Sequence, residues 1–120
     1  MKTILLVEDD DSLRELVGVL LRVEGYEVDE AENGKVALDR LHQMDSLPCL
    51  ILLDLMMPIM SGPQLLQALN QHERLASLPV IVLSANDPPS DVPRDVPYLR
   101  KPVDPYQLAT TVREYCGSPQ

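Results

Sequence analysis

Acidic residues close two of the apolar runs in this sequence. Ile4-Leu5-Leu6-Val7 runs into Glu8-Asp9-Asp10, and Cys49-Leu50-Ile51-Leu52-Leu53 runs into Asp54. A hydroxyl, Ser84, follows Val80-Ile81-Val82-Leu83, and a cation, Lys101, follows Tyr98-Leu99-Arg100. An unpaired charge beside a buried run is costly, so these groups need one another or a ligand. Carboxylates held together repel until a cation neutralises them, and an all-oxygen donor set favours Mg²⁺ over softer metals. A lysine in the same pocket can balance the charge of an incoming phosphoryl group, and a serine hydroxyl can donate to one of its oxygens. Phosphoryl transfer to an oxygen nucleophile depends on that positioning and charge neutralisation.

The elements that must gather these residues are legible in the hydrophobic pattern. Ile4–Val7, Cys49–Leu53 and Val80–Leu83 are continuously apolar, as strands buried on both faces are. Tyr26–Ala31 alternates as a second strand, and Tyr98–Arg100 reads as a short fifth. Helical spacing starts at Ser12, with Leu13, Leu16, Val17, Leu20 and Leu21 on one face, and Gly25 is placed to end it. Two more helices are expected over Val36–Met44 and Gln64–Arg74, with Asn33-Gly34 as a turn. A last helix opens at Pro105 with Leu108, Val112 and Tyr115 inward. Strand and helix alternate, which predicts an α/β fold with a parallel sheet. In such a sheet the ligand lies beyond the carboxyl ends of the strands, where Glu8, Asp9, Asp54, Ser84 and Lys101 all fall.

The chain has 120 residues, room for one domain, and 10 Lys+Arg against 19 Asp+Glu give a net charge of −9. That balance argues against direct nucleic-acid binding, which calls for a basic patch. Residues 1–32 hold ten of those acids and three bases. Glu24, Glu27, Asp29, Glu30 and Glu32 read as a solvated surface, Asp10, Asp11 and Ser12 compete for a helix N-cap, and Arg14 and Arg22 read as solvated. No apolar stretch approaches the roughly 20 residues of a membrane span. The two cysteines, Cys49 and Cys116, make no disulfide framework or metal-ligand spacing, so Cys49 reads as a small buried hydrophobe in a reducing cytosol. His42 and His72 have no partner pattern, and Met56, Met57 and Met60 read as loop packing.

At four segments the sequence resembles the receiver domain of two-component response regulators. These are Leu6-Val7-Glu8-Asp9-Asp10 with Leu13-Arg14, Asp54 to Gly62, Ser84-Ala85, and Tyr98-Leu99-Arg100-Lys101-Pro102. The resemblance implies a flavodoxin-like, doubly wound five-stranded parallel sheet of order 2-1-3-4-5. It makes residues 1–116 the receiver domain and 117–120 a tail or linker stub. Asp54 would accept a phosphoryl group from a phosphohistidine on a sensor histidine kinase or phosphotransfer protein. Mg²⁺ would be held by Asp9, Asp54 and the backbone carbonyl of Met56, with Glu8 acting through water. Lys101 would pair with the phosphoryl oxygens, its bond to Pro102 being commonly cis in the family. Ser84 and Tyr98 would move together as the switch presented to a downstream effector. Such a protein is cytoplasmic and catalyses only its own phosphorylation and dephosphorylation.

Two departures stand out. Glu8 replaces the commoner Asp, one methylene longer. Between Ala85 and Tyr98, where the family has a helix, Asn86 to Pro97 carries four prolines in twelve residues. Each removes a donor and clashes with the preceding turn, so the helix is expected to be missing or degenerate and the crossover irregular. The competing readings are a pseudo-receiver, an interaction module not regulated by phosphorylation, and a metal-dependent phosphohydrolase. The second would want an acid two residues after the nucleophile, where this chain has Met56.

Overall fold

The computed structural model describes residues 2–85, 92–93 and 95–119. Along them run β1 (Thr3–Val7), α1 (Asp11–Val23), β2 (Glu27–Ala31), α2 (Gly34–Gln43), β3 (Leu50–Asp54), α3 (Gly62–Asn70), β4 (Val80–Ser84), β5 (Tyr98–Arg100) and α4 (Pro105–Cys116). The strands form one sheet of order β2-β1-β3-β4-β5, parallel at every pairing. This is the flavodoxin-like arrangement expected from the sequence.

The continuous apolar runs have a simple cause. Successive side chains point to opposite faces. Leu5, Val7, Ile51, Leu53 and Val82 pack under α2 and α3, while Ile4, Leu6, Leu50, Leu52, Ile81 and Leu83 pack under α1 and α4. With both faces covered, no polar alternation survives in the central strands.

The helix starts are set by side-chain caps. Asp10 accepts from the Leu13 amide, Asn33 from Val36, and Asp104 from Tyr106 and Gln107. Ser61 and Gln64 form a reciprocal capping box. Asn33-Gly34 is therefore a helix start and not a free turn. The α3 helix stops at Asn70, short of the expected Arg74, and Arg74 turns back to donate to the carbonyls of Leu41, Met44 and Asp45.

Two side chains expected inward lie outward. Leu16 is 53% exposed because the buried face of α1 centres on Val17, Gly18 and Leu21, and Leu16 sits about 140° around the helix from Leu21. Tyr115 lies at the margin of α4, where Cys116 continues the Leu108–Val112 row instead.

Cys116 is also where the reading of the cysteines fails. Cys49 and Cys116 are joined by a disulfide that ties the start of β3 to the end of α4. The two are 67 residues apart in sequence, and only the fold brings their Cα atoms to 5.4 Å. Beyond the bond, the Tyr26 hydroxyl donates to the Gly117 carbonyl at 2.6 Å, and the Lys2 ammonium donates to the Cys116 carbonyl.

No helix occurs among the described residues between β4 and β5, in keeping with the expected loss. Val92 is buried and half-buried Val96 packs beside it against the α2–α3 side of the sheet. Residues 86–91 and 94, which make up much of the expected irregular crossover, lie outside the described residues.

Candidate functional site

β1, β3 and β4 run in register, so their carboxyl ends deliver side chains to one edge. Val7 pairs with Leu53, and Asp54 with Leu83. Glu8 and Asp9 therefore emerge beside Asp54, and Ser84 one residue past Leu83. Lys101 arrives from β5 through its backbone amide, which donates to the Ser84 carbonyl at 2.8 Å. These residues line a cleft of about 320 Å³. A larger hollow, about 530 Å³, lies along α3 between Ser61 and Pro93 and has no titratable side chain among the described residues of its wall.

Carboxylate oxygens of Glu8, Asp9 and Asp54 lie within 4.8 Å of one another. Glu8 and Asp54 are buried, whereas Asp9 faces solvent. Lys101 Nζ lies 3.0 Å from Asp54 Oδ1, in hydrogen-bond geometry, and 3.0 Å from Glu8 Oε1. The second contact is an ion pair only, which leaves Glu8 Oε1 a buried acceptor without a hydrogen bond. Burial pushes the Glu8 carboxyl up to about 7, opposed by Lys101 and reinforced by Asp54. Burial alone would lower the Lys101 ammonium, but its interactions with the Asp54 and Glu8 carboxylates prevail and raise it.

Three carboxylates facing one ammonium leave two negative charges when all are ionised, the complement of one divalent cation. The donor set is oxygen only, and Glu8 Oε1 is buried with an ion pair to Lys101 but no hydrogen bond. These residues fit a hard cation such as Mg²⁺.

Ser84 is buried at the edge of this cleft, and Met56 lies on its rim with the side chain 83% exposed. Tyr98 is 42% exposed at the start of β5. The Lys101–Pro102 peptide bond is cis. Arg14 is the residue whose place the sequence reading missed. Its side chain is only 18% exposed, and Nη1 donates to the Glu8 carbonyl at 2.8 Å.

The fold and site define a class. The family described as the response regulator receiver domain matches residues 4–113, and this chain belongs to it. It is a receiver domain of the kind used as a signalling module in two-component systems. Among relatives, it is 36% identical to the response regulator Rre1 of Synechocystis over 98% of this chain and 53% of that protein. It is 43% identical over 84 residues to the two-component response regulator-like PRR37 of rice, which covers 70% of this chain and 11% of that protein. The chain thus spans about half or less of these relatives. Among solved structures it is similar to the chemotaxis protein CheY4 of Vibrio cholerae, with a TM-score of 0.84 and 26% identity over 96% of this chain and 98% of that one. A putative response regulator from Chloroflexus aurantiacus gives a TM-score of 0.84 at 30% identity over 95% of this chain and 96% of that one.

Proposed function

We propose that this receiver domain is a phosphorylation-dependent switch whose phosphoacceptor is Asp54. The observation that carries this reading is the 3.0 Å bond from Lys101 to an Asp54 carboxylate flanked by Glu8 and Asp9. Asp9, Asp54 and the Met56 carbonyl would hold Mg²⁺, and Glu8 would reach it through water. When bound, the metal supplies charge neutralisation for the phosphoryl oxygens.

The donor is a phosphohistidine on a sensor histidine kinase or phosphotransfer protein. As an Asp54 oxygen forms its bond to phosphorus, the nitrogen–phosphorus bond breaks, and the imidazole leaves with that electron pair and takes up a proton. Lys101 then moves its hydrogen bond from the carboxylate to a phosphoryl oxygen. Ser84, at the cleft edge, donates to another. Tyr98, half-exposed on the neighbouring strand, follows Ser84 inward and changes the surface offered to a downstream effector. No helix of the described residues is long and apolar enough to cross a membrane. A kinase-fed switch of this kind operates in the cytoplasm, a placement that rests on the family and no longer on the cysteines, which are joined in a disulfide.

The test is mass spectrometry after incubation with a small phosphodonor and Mg²⁺. One phosphoryl group on the wild type and none on Asp54→Ala supports the reading. No modification of the wild type leaves the pseudo-receiver reading in its place.

A further inference from the structure

The turn that carries Glu8 and Asp9 begins where the sheet ends. Val7 is the last residue of β1 paired to both neighbours. Beyond it the Glu8 amide still reaches the Ala31 carbonyl at 3.0 Å, and the Asp10 amide donates to Glu8 Oε2 at 3.2 Å. The Glu8 carbonyl has left the ladder, and a buried carbonyl needs a donor. Arg14 supplies it from the first turns of α1.

The guanidinium is itself held. It pairs with Asp11 at 2.6 Å and with Glu30 Oε1 at 3.5 Å, while Arg22 takes the other Glu30 oxygen at 2.9 Å. A chain of contacts thus runs from Arg22 through Glu30 and Arg14 to the backbone of Glu8, joining α1, β2 and the acidic turn. Asp9 is the member of the cluster that most needs this support. Its carboxylate makes no hydrogen bond or ion pair among the described residues, so neighbours constrain it only through the backbone from which it projects. The peptide unit that the Arg14 bond fixes is the one entering Asp9.

We propose that Arg14 is a positioning residue for cation binding: by clamping the Glu8 carbonyl it aims the Asp9 carboxylate into the site. This rests on the reading of Glu8, Asp9 and Asp54 as a Mg²⁺ site. A planar fork suits the role better than an ammonium, because one group must serve a carbonyl and two carboxylates at once.

The sign of the effect separates positioning from plain electrostatics. Removing a cation near an acidic cluster should tighten Mg²⁺ binding if charge alone matters. Losing the clamp should weaken it, by roughly 10-fold, as loss of an outer-sphere support commonly does. Mg²⁺ would be titrated calorimetrically into metal-free wild type, Arg14→Gln, Arg14→Lys and Arg22→Gln. Arg22→Gln removes the same charge and opens the same chain of contacts at its far end. Amide hydrogen exchange at Asp9 and Asp10 would be followed in the metal-free proteins.

The expected result is weaker binding and faster exchange in Arg14→Gln, an intermediate Arg14→Lys, and Arg22→Gln within about 2-fold of wild type. Unchanged or tighter binding in Arg14→Gln, or an equal loss in Arg22→Gln, overturns the proposal. If Arg14→Gln does not fold, Arg14→Lys decides, and binding equal to wild type with unchanged exchange overturns it. A wild type that takes up no Mg²⁺ overturns the metal site as well, an outcome distinct from all the others.

Discussion

Gly62 and Asp54 meet through backbone alone: a Cβ on Gly62 would lie 2.8 Å from the Asp54 carbonyl oxygen and 2.7 Å from the Leu55 Cα. The first residue of α3 therefore fits under the end of β3 only because it has no side chain. Both opposing atoms are backbone and cannot swing away. Gly62→Ala should cost about 1–3 kcal/mol by overpacking. It should also slow Asp54 phosphorylation, since relief requires the end of β3 and the start of α3 to move apart. Urea unfolding and phosphorylation kinetics on the same preparation would test both, and a fully stable, fully active variant would show that the gap can open freely.

Lys101 pairs with the carboxylates of both Glu8 and Asp54, whose side chains are 1% and 7% exposed. In metal-free protein, Lys101→Ala leaves two buried carboxylates facing each other, and the expected loss is about 2–3 kcal/mol, below the usual cost of breaking a fully buried pair because Glu8 can take up a proton. Mg²⁺ should restore more stability to this variant than to wild type while phosphorylation stays impaired. Thermal melts with and without Mg²⁺ give the comparison.

The raised Glu8 carboxyl has a definite consequence for pH. Folded Glu8 titrates at about 7 against an ordinary 4.5, so between those values the folded protein binds more protons than the unfolded chain. Metal-free stability should therefore fall as pH rises from about 4.5 to 7. Glu8→Gln should flatten that slope. Denaturant midpoints at half-unit pH steps will show it, and a wild-type curve that climbs through the same window would contradict the assignment.

Ile59 occupies the left-handed region with φ of 68° and is 76% exposed. A β-branched residue there is strained and little packing offsets it. Ile59→Gly or Ile59→Asn should stabilise the domain by about 0.5–1 kcal/mol despite the added chain entropy of glycine. A loss of stability in both variants would mean that the loop conformation is favoured by contacts of the Ile59 side chain.

Reducing the Cys49–Cys116 bond should lower stability by about 4 kcal/mol on the chain-entropy account for a loop of this length. Asp54 lies at the opposite end of β3 from the bond, so its phosphorylation should continue in Cys49→Ser. Melting temperatures with and without reductant, beside thiol counting, test this directly.

The sequence disclosed most of what is periodic or local. Continuous apolar runs located the central strands, and the polar residue ending each run located the cleft. What stayed hidden depended on distance in three dimensions. The disulfide needed the start of β3 and the end of α4 to meet, which no spacing of two cysteines reveals. Arg14 read as solvated because its distinguishing partner is a backbone carbonyl, and a carbonyl has no letter in the sequence. Leu16 was misplaced because it was counted on one face with Leu13, Val17, Leu20 and Leu21, whereas the buried stripe, Val17, Gly18 and Leu21, is narrower than that apolar face.

The disulfide also decides how the domain responds to a pull. Tension applied at its two ends passes from Cys49 directly to Cys116, and the 67-residue span between them carries none of it. Asp54, Ser84 and Lys101 lie inside that closed ring, while Glu8 and Asp9 lie on the loaded path. A stretched molecule would load its acidic turn and keep Asp54, Ser84 and Lys101 within one unloaded loop. About 230 Å of extended length stays hidden until the bond is reduced. Tension applied across the two ends would thus load residues 1–49 and 116–120 alone.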